Sequence, residues 1–410
     1  MKKGNYEMSD NFREVSGKKS IQKSKKGGIL AKIRECNFSL ENLTIDYPEL
    51  ELLKHVPQNP QYHAEGDVYC HTGLVCREIT KLKEWPELAS REQELLFLAG
   101  AFHDIGKPAC TRWEDERWTS PNHTIIGEKV FRAMVYRESE RFGLTWQERE
   151  LAAKLIRYHG FPVWFWKKRR PDFELLKAAE TVPMRLLHLL SMADIKGRRC
   201  KEPEPLDEYV EMFWESIKEL EITNASYPFA NTYTRYQYFH KDSLWQGSEL
   251  YDDTTFDVWL MSGLPLSGKD TWIETYGKGM PIISLDNIRE EYEIAPGNNS
   301  SKVAHIATDR AKKFLRKKEP FIWNATNIIQ DIREKLCNLF TAYGARVKII
   351  YLEVPYQELL IRNEKRTRHI PVQVLEHMID KLEIPAPWES YSWERWENDI
   401  CFCRYQSENK

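Results

Sequence analysis

The strongest constraint on the fold is a glycine- and lysine-containing turn in the second half of the chain. The apolar run Val258–Met261 is followed at once by the pattern Gly-x-x-x-x-Gly-Lys at positions 263–269. Such a turn between a strand and a helix directs backbone N–H groups at phosphate oxygens, and its lysine reaches the terminal phosphates of a nucleotide. The residues predicted to bind ATP are Gly263, Ser267, Gly268, Lys269, Asp270 and Thr271.

The hydrophobic pattern around this turn predicts strands that alternate with helices. Further short apolar runs occur at Pro281–Leu285, Phe321–Trp323 and Val347–Leu352, and segments of helix length separate them. Alternation of this kind is typical of βαβ units around a parallel sheet. The second half of the chain is therefore predicted to be an α/β P-loop domain.

The first half of the chain shows a helical period instead. Apolar residues recur on one face in Val68–Leu82 and in Leu95–Phe102, and a further apolar run covers Leu186–Met192. A chain of 410 residues is also long for one hydrophobic core. The sequence predicts a multidomain protein with an N-terminal all-α domain and a C-terminal α/β domain. The predicted bounds are a basic mobile tail at 1–35, a helical domain at 36–225, a connector at 226–250 and a P-loop domain at 251–410.

Charge and composition exclude several classes of protein. Sixty basic and 62 acidic residues give a formal net charge of -2, which excludes a polycation that coats nucleic acid by bulk charge. No apolar run is long enough for a membrane span, and the eight cysteines form no C-x-x-C pair. No cleavable signal segment opens the chain, so a cytoplasmic protein without a membrane is expected. Residues 1–35 hold ten basic and four acidic residues, and a solubilising role and an RNA-contacting role are both open.

Histidines and aspartates form a first chemical constellation in the helical half. His103 and Asp104 stand side by side where Gly106 and Pro108 end an apolar helix. Imidazole suits transition metals, and a carboxylate can bridge two ions. A single histidine on an apolar face is more often a hydrogen-bonded core residue, and an aspartate after a helix is usually a cap. The joint pattern favours a metal site; it comprises His71, His103, Asp104, His123, His159 and Asp194.

This segment resembles the HD superfamily of metal-dependent phosphohydrolases over roughly residues 50 to 210. The likeness lies in residues 66–72 (Gly-Asp-Val-Tyr-Cys-His-Thr), 103–108 (His-Asp-Ile-Gly-Lys-Pro) and 193–198 (Ala-Asp-Ile-Lys-Gly-Arg). The resemblance implies one metal on His71, His103, Asp104 and Asp194, and a second on His123 and His159 with Asp104 as a bridge. It also implies that Lys107 steadies the phosphate, with Arg198 as a weaker candidate. His63 and Glu65 support the ligands, shape the fold or touch the substrate.

The four histidines favour Mn²⁺, Co²⁺ or Ni²⁺, as one or two ions, over Mg²⁺ in this half. For the half with the phosphate-binding turn, the expected cofactor is ATP with Mg²⁺. There Asp270 takes the position where a hydroxyl usually follows the turn lysine, and residues 324–327 (Asn-Ala-Thr-Asn) lack a plain acidic metal ligand. Asp270 is a candidate to hold Mg²⁺ through water.

Charged residues beyond the turn form a second constellation. Asp286 follows the strand predicted at Pro281–Leu285, and Arg289 comes one helical turn later. Arg362 and Arg366 stand four residues apart, so they share one helix face that could close over a transferring phosphoryl group. A solvated charged face is the alternative for that pair.

These features resemble the polynucleotide 5′-kinase branch of the P-loop phosphotransferases. The resemblance implies that Asp286 accepts the proton of the attacking 5′-hydroxyl and that Arg289 contacts the acceptor phosphate. It implies that Arg362 and Arg366 press on the ATP phosphates. Catalytic roles thus fall on Lys269, Asp286, Arg362 and Arg366 in this half and on Lys107 in the other.

The order of the two halves resembles the bacterial bifunctional HD-domain/polynucleotide-kinase family, which heals broken RNA ends. The resemblance implies removal of a 2′- or 3′-phosphate, or opening of a 2′,3′-cyclic phosphate, and phosphorylation of a 5′-hydroxyl. RNA ends, or DNA ends, are the expected partners, and an RNA ligase is the expected functional partner. Two alternatives stay open: an HD nucleotidase fused to a nucleoside or small-metabolite kinase, and a regulator whose P-loop only binds nucleotide.

Aromatic and basic residues alternate at positions 164–170, which read Trp-Phe-Trp-Lys-Lys-Arg-Arg. Stacking surfaces beside cations can hold a single strand of nucleic acid. A solvated basic loop over packed aromatic residues is the other interpretation. The tryptophans Trp388, Trp393 and Trp396 are interpreted as packing residues.

Overall fold

The computed structural model describes residues 28–200, 205–295 and 297–405, and the chain divides into two compact units at Tyr227–Pro228. The predicted fold class, a helical domain followed by an α/β domain, is confirmed. The part of the tail at residues 1–27 lies outside the described residues. Among the described helices, none combines the length and apolar character needed to cross a bilayer.

The first unit is built almost entirely from helices. They are α1 (Gly28–Glu35), α2 (Leu40–Asp46), α3 (Val68–Ile79), α4 (Ser90–Phe102), α5 (His123–Arg137), α6 (Ser139–Phe142), α7 (Trp146–Tyr158), α8 (Phe161–Trp164), α9 (Pro171–Ala179), α10 (Met184–Gly197) and α11 (Leu206–Glu219). Short 3₁₀ turns lie at Pro48–Leu53, Trp85–Glu87, Lys107–Ala109 and Phe165–Lys167. Apolar residues from α1, α4, α5 and α7 pack together in the core of this unit.

The all-α prediction for this unit lacks one element, a small antiparallel hairpin between α4 and α5. Its strands are β1 (Arg112–Glu114) and β2 (Arg117–Thr119), and Trp113 stands opposite Trp118. Asp115 and Glu116 turn the chain with φ of 51° and 57°, the left-handed conformation that a two-residue hairpin turn requires. Neither residue is a glycine, so the usual sequence signal for this turn is missing.

The predicted bounds of the tail need a correction. Residues 28–35 were assigned to a mobile tail, but they form α1, and Ile29, Leu30 and Ile33 are buried in the core of the first unit. The basic residues Lys32 and Arg34 lie on its outer side in ion pairs with Asp46 and Glu94. The helix is amphipathic. It directly follows a lysine-rich segment, so its short apolar pattern does not stand out in the sequence.

The second unit has a six-stranded sheet in the order β4-β5-β3-β6-β7-β8. Its strands are β3 (Phe256–Ser262), β4 (Ile282–Ser284), β5 (Phe321–Asn324), β6 (Ala345–Leu352), β7 (Ser392–Glu397) and β8 (Ile400–Tyr405). The first five in the sheet order are parallel, and β8 runs antiparallel to β7. The helices are α12 (Thr232–His240), α13 (Lys269–Tyr276), α14 (Leu285–Glu291), α15 (Ser300–Lys317), α16 (Gln330–Thr341), α17 (Tyr356–Glu364) and α18 (Val372–Asp380), with a 3₁₀ turn at Pro387–Glu389.

The predicted connector at 226–250 also needs a correction, because most of it belongs to the second unit. Helix α12 packs onto that unit: Tyr236 stacks on Tyr391 with ring centroids 4.4 Å apart, and Arg235 donates to the Tyr391 carbonyl at 3.2 Å. A Tyr-rich segment resembles a polar linker in the sequence, because each tyrosine carries a hydroxyl group. Their rings are nevertheless buried here.

A buried ion pair fixes the loop that follows β5. Arg333 donates to both carboxylate oxygens of Glu389, at 2.6 and 2.9 Å, and both side chains are fully buried. The same guanidinium donates to the Asn327 carbonyl at 3.0 Å. Because Thr326 in that loop accepts from the Gly263 N–H at 2.8 Å, the ion pair also supports the start of the phosphate-binding turn.

Candidate functional site

Three of the predicted metal-binding histidines present their Nε2 atoms in the same way. His103, His123 and His159 each place Nδ1 2.7 to 2.9 Å from the carbonyl oxygen three residues earlier, those of Gly100, Ser120 and Ile156. A proton fixed on Nδ1 by such a bond leaves the Nε2 lone pair available as a metal ligand. Burial lowers the pKa of His159 to about 3, which keeps its imidazole neutral.

Asp104 lies at the centre of these histidines. Its Oδ2 is 3.1 Å from His103 Nε2, and its Oδ1 is 3.6 Å from His123 Nε2 and 4.0 Å from His159 Nε2. The side chain is 1% exposed, yet burial does not neutralise it, because His103 and Lys107 hold the pKa of Asp104 well below its usual range. The same carboxylate therefore serves two groups of candidate ligands, as a bridging ligand would.

Glycine at position 106 makes this close arrangement possible. A Cβ atom on Gly106 would lie 2.1 Å from the His123 carbonyl oxygen and 2.5 Å from the Gly127 nitrogen. Any other residue would push the end of α4 away from the start of α5. Asp104 and His123 would then separate.

His71 and Asp194 complete the cluster from α3 and α10. His71 Nε2 is 2.9 Å from Asp194 Oδ1, and Arg198 donates to Asp194 Oδ2 at 2.7 Å. On its other side, His71 Nδ1 is 2.9 Å from Glu65 Oε1. Glu65 also accepts the backbone N–H of Arg199 at 2.9 Å, so it is itself held in place. Glu65 is therefore placed to orient His71, the first of the roles considered for it.

Unpaired buried atoms test whether the cluster fits a metal. His103 Nε2 and both carboxylate oxygens of Asp104 are buried without a hydrogen-bond partner of good geometry. Orphaned polar atoms of this kind are costly unless an ion or water completes them. Among the described residues, three groups have ligand atoms within 4.8 Å of one another, and Asp104 belongs to two of them: His71, His103 and Asp104, and Asp104, His123 and His159; the third is His63, Glu65 and His71. The donor set fits one or two divalent transition ions, which when bound supply Lewis-acid chemistry for phosphoryl groups.

The cluster forms the floor of a cleft of about 390 Å³. Lys107 lies at its edge, where Nζ is 2.7 Å from Asp104 Oδ2 and donates to Gln58 Oε1 at 2.8 Å. Arg198 also lines the cleft, so both predicted phosphate contacts face it. The sequence analysis missed Gln58 and the hairpin residues Arg117 and Trp118, which line the same cleft. Only the folded chain brings these residues to the cluster.

The phosphate-binding turn has the predicted form. Gly263 and Gly268 have φ of 147° and 97°, and a Cβ on Gly263 would lie 2.4 Å from the Leu352 carbonyl oxygen. Lys269 Nζ donates to the carbonyls of Gly263 and Leu264, at 3.1 and 2.8 Å. Burial lowers the pKa of Lys269 to about 8, against the opposing effect of Asp270 and Asp286.

The other predicted ATP contacts gather around this turn. A pocket of about 480 Å³ is lined by Ser267, Gly268, Lys269, Asp270, Thr271, Arg362 and Arg366. Arg362 lies in α17 and donates to the Leu266 carbonyl at 3.1 Å, so it lies directly on the turn. The prediction that Arg362 and Arg366 share one helix face is wrong, because α17 ends at Glu364 and Arg366 lies beyond it, although both line the pocket. Asp270 accepts from Asn324 Nδ2 at 2.7 Å, which places the two unusual positions of the motif side by side.

Asp286 and Arg289 lie on α14, and neither is among the described residues that line this pocket. Asp286 is exposed and follows the end of β4. It is close enough to raise the pKa of Lys269. The Arg289 guanidinium holds a loop: it donates to the Asn298 carbonyl at 2.8 Å and to Ser300 Oγ at 3.0 Å. Its predicted contact with an acceptor phosphate therefore stays a prediction.

Comparison with known families supports both predicted domains. Residues 68–183 match the HD domain family, and residues 258–385 match the AAA domain family. The chain carries an HD domain followed by a P-loop kinase-like domain. The match to the HD family ends before Asp194, whose contact with His71 places it in the same cluster.

Curated relatives match parts of the chain. L-seryl-tRNA(Sec) kinase of Methanococcus maripaludis is 28% identical over 142 residues, which cover 33% of this chain and 55% of that protein. Multifunctional CCA protein of Hahella chejuensis is 32% identical over 114 residues, 28% of this chain and 24% of that protein. The same protein of Thioalkalivibrio sulfidiphilus is 31% identical over 183 residues, 42% of this chain and 39% of that protein. The chain thus spans between about a quarter and about half of these relatives.

The Glu65→Gln variant is expected to bind Mn²⁺ about 10- to 100-fold more weakly, the usual cost of losing a carboxylate that orients a ligating histidine. Glutamine keeps the size of the side chain but removes the charge that His71 Nδ1 faces. Isothermal titration of the metal-stripped protein with Mn²⁺ measures the change. Asp67→Asn is the matched control, since Asp67 caps α3 through the Cys70 N–H. Equal affinities of all three proteins would show that Glu65 does not orient His71.

Proposed function

We propose that this protein heals broken RNA ends. The HD domain removes a 2′- or 3′-phosphate, or opens a 2′,3′-cyclic phosphate, and the P-loop domain transfers the γ-phosphate of ATP to a 5′-hydroxyl. The observation that carries the proposal is that one chain holds two separate candidate sites for phosphate chemistry, the cluster around Asp104 and the turn around Lys269. Cleavage of RNA can leave a phosphate on one end and a hydroxyl on the other, and these two activities reverse both.

The kinase role rests on the positions of the charged side chains. Lys269 and the backbone of the turn would hold the β- and γ-phosphates, and Mg²⁺ would be held near Asp270 and Asn324. Arg362 would neutralise charge on the transferring group from above the turn, together with Arg366. Asp286 would accept the proton of the 5′-hydroxyl from the carboxyl edge of the sheet.

The hydrolase role rests on the cleft around the cluster. His71, His103, Asp104 and Asp194 would hold one divalent ion, and Asp104, His123 and His159 a second. Mn²⁺, Co²⁺ and Ni²⁺ suit this set of imidazoles better than Mg²⁺ does. Lys107 and Arg198 would bind the phosphate oxygens, since both face the cleft.

The relatives support RNA as the substrate. The relative from Methanococcus maripaludis is named as a kinase of L-seryl-tRNA(Sec), so that protein phosphorylates a group carried by RNA. A cytoplasmic location, and a ligase that joins the healed ends, complete the proposal. A DNA end is the other acceptor that the site could take.

A direct test supplies γ-labelled ATP and Mg²⁺ with a 5′-hydroxyl oligoribonucleotide, the matching oligodeoxyribonucleotide or a free nucleoside. We expect label on the oligoribonucleotide and little on the nucleoside. In parallel, a 3′-phosphorylated oligoribonucleotide should release phosphate with Mn²⁺, Co²⁺ or Ni²⁺ and less with Mg²⁺. Equal labelling of nucleoside and oligoribonucleotide would favour a small-metabolite kinase, and no transfer to any acceptor would favour a nucleotide-binding regulator.

A further inference from the structure

The two aromatic elements beside the HD cleft are each joined directly to a histidine of the cluster. Trp118 in β2 comes five residues before His123, and Trp164 at the end of α8 comes five residues after His159. Both tryptophans line the same cleft as Asp104, His123 and His159. The fold therefore brings an indole ring from each of two separate elements to the cleft that holds these candidate ligands.

Side-chain hydrogen bonds fix the hairpin that carries Trp118. Glu114 accepts from Arg112 Nε at 2.6 Å and from Thr119 Oγ1 at 3.0 Å. At its base, the hydroxyls of Thr111 and Ser120 are 2.8 Å apart, and the Ser120 carbonyl lies 2.9 Å from His123 Nδ1. The position of Trp118 is thus tied to that of His123.

The exposure of these rings argues against a role in the core. Trp164 is 42% exposed, and Trp118 packs edge-on against Trp113, which is itself 59% exposed, with ring centroids 5.3 Å apart. A cross-strand aromatic pair stabilises a hairpin, but it does not require the second ring to face a cleft. Two large rings left in contact with solvent above a phosphate site are the arrangement that stacks nucleobases.

Charge around these rings fits a polyanion. Arg117 is exposed, lines the cleft and makes no ion pair within the described residues. Lys167 Nζ lies 4.5 Å from the centroid of the Trp164 ring, at the start of a run of four basic residues, 167–170. Arg117 thus offers a cation to a phosphate backbone in the cleft itself, where Asp104 and Asp194 also lie, and Lys167 offers one beside Trp164.

We propose that Trp118 and Trp164 form a nucleobase clamp at the mouth of the HD cleft, which stacks the terminal base of a single-stranded RNA end while Arg117 contacts the next phosphate. This inference rests on the proposed function and specifies its substrate. Stacking tolerates any base, and a clamp of this kind selects oligonucleotide ends over small phosphate esters. Trp118, Trp164 and Arg117 are binding residues, so they act on recognition of the end and not on the chemistry at Asp104.

The test compares two 3′-phosphorylated oligoribonucleotides, one with a normal terminal nucleotide and one with an abasic terminal sugar. Loss of a stacked base lowers kcat/KM by about 5- to 100-fold. Trp118→Ala and Trp164→Ala should each show a loss in this range on the normal substrate and none on the abasic one. The wild-type protein should itself lose a similar factor when the base is removed. Trp118→Phe, which keeps a stacking ring, should recover most of the activity.

Trp166→Ala is the matched control, because Trp166 is 37% exposed and lies near Lys167 as well, but does not line the cleft. It should behave as wild type on both substrates. The clamp is wrong if the Trp118 and Trp164 variants match wild type on the normal end, or lose equally on both ends. If the wild-type protein hydrolyses β-glycerophosphate but neither oligonucleotide, the proposed RNA function itself is wrong, and the clamp with it.

Discussion

The Lys269→Ala variant is expected to lose at least about 100-fold of phosphate transfer from ATP, the scale seen when one preorganised group is removed from a developing charge. Its ammonium lies in the turn, 2.8 Å from the Leu264 carbonyl, where it faces the position of the terminal phosphates. Alanine leaves the turn without that charge. Release of phosphate from a 3′-phosphorylated end should be unchanged, because the HD cluster lies in the other compact unit.

The Asp104→Asn variant should show the reverse pattern. Asp104 is the carboxylate common to both groups of candidate ligands, and asparagine keeps its size but removes its charge. Phosphate release should fall at least about 100-fold and bound metal should decrease, while phosphate transfer stays at the wild-type level. Labelled-phosphate assays of both activities, with metal analysis of each variant, measure these changes.

Lys335→Ala is a control for the loss of a lysine, since Lys335 lies on the exposed side of α16 in an ion pair with Asp331. It should change neither activity. If a folded Lys269→Ala or Asp104→Asn protein lost both activities together, the two sites would not be independent. The bifunctional proposal would then need one shared site in place of two.

The central strands of the sheet could be predicted because their cores are nearly continuous apolar runs, interrupted only by Lys348. Val258–Met261, Phe321–Trp323 and Val347–Leu352 all lie within observed strands, as strands covered on both faces should. Strand β7 reads Ser-Trp-Glu-Arg-Trp-Glu and was not predicted. Its Glu394 is buried together with the tryptophans because Lys348 pairs with it at 3.1 Å. The apolar pattern of β7 is interrupted by a charged residue whose partner lies far away in the sequence, so the strand cannot be recognised from its own residues.

The tryptophans near the C-terminal end behave as interpreted, since Trp388, Trp393 and Trp396 are 5%, 5% and 8% exposed. The segment from Trp164 is different, because Trp164 and Trp166 remain partly in solvent while Phe165 between them is buried. Residue types alone could not separate the two cases. Burial depends on which elements fold over a ring, and that is decided by contacts between distant segments.

The candidate histidine cluster could be predicted from sequence because His103 and Asp104 follow the end of an apolar helix and His71 lies on the apolar face of another. Its supporting contacts could not be found in this way. Gln58 reaches Lys107 across 49 positions of the chain, and Glu65 meets both His71 and the Arg199 backbone. Polar residues such as Gln58 and Glu65 occur throughout the sequence, and the tertiary fold decides which partners they contact. Their contacts therefore cannot be predicted from the sequence.

Arg289 shows the same limit in the kinase domain. Its spacing after Asp286 fits a contact with the acceptor, but the folded chain gives its guanidinium three bonds to the loop from Ala295 to Ser300. Truncation of Arg289 would therefore disturb that loop as well as any acceptor contact. Asp286 gives a cleaner test of the kinase proposal, because no side-chain hydrogen bond or ion pair of Asp286 is present among the described residues.

The Asp286→Asn variant is expected to transfer phosphate about 10² to 10⁴-fold more slowly, the usual contribution of a positioned general base. Asparagine keeps the size of the side chain at the carboxyl end of β4 but cannot take the proton of the 5′-hydroxyl. The KM for ATP should change little, because Asp286 does not line the pocket around the turn within the described residues. Steady-state kinetics with a 5′-hydroxyl oligoribonucleotide measure both values.

Asp270→Asn is the matched comparison. Asp270 and Asp286 both raise the pKa of Lys269, but only Asp270 lines the pocket and accepts a hydrogen bond from Asn324. Its effect should fall on the dependence of the rate on Mg²⁺ and ATP, because it lies where the metal would be held. The two variants thus separate proton transfer from metal and nucleotide binding. Near-normal turnover of Asp286→Asn, or a rise in its KM for ATP as large as that of Asp270→Asn, would remove Asp286 as the base and direct the search to another group at the carboxyl edge of the sheet.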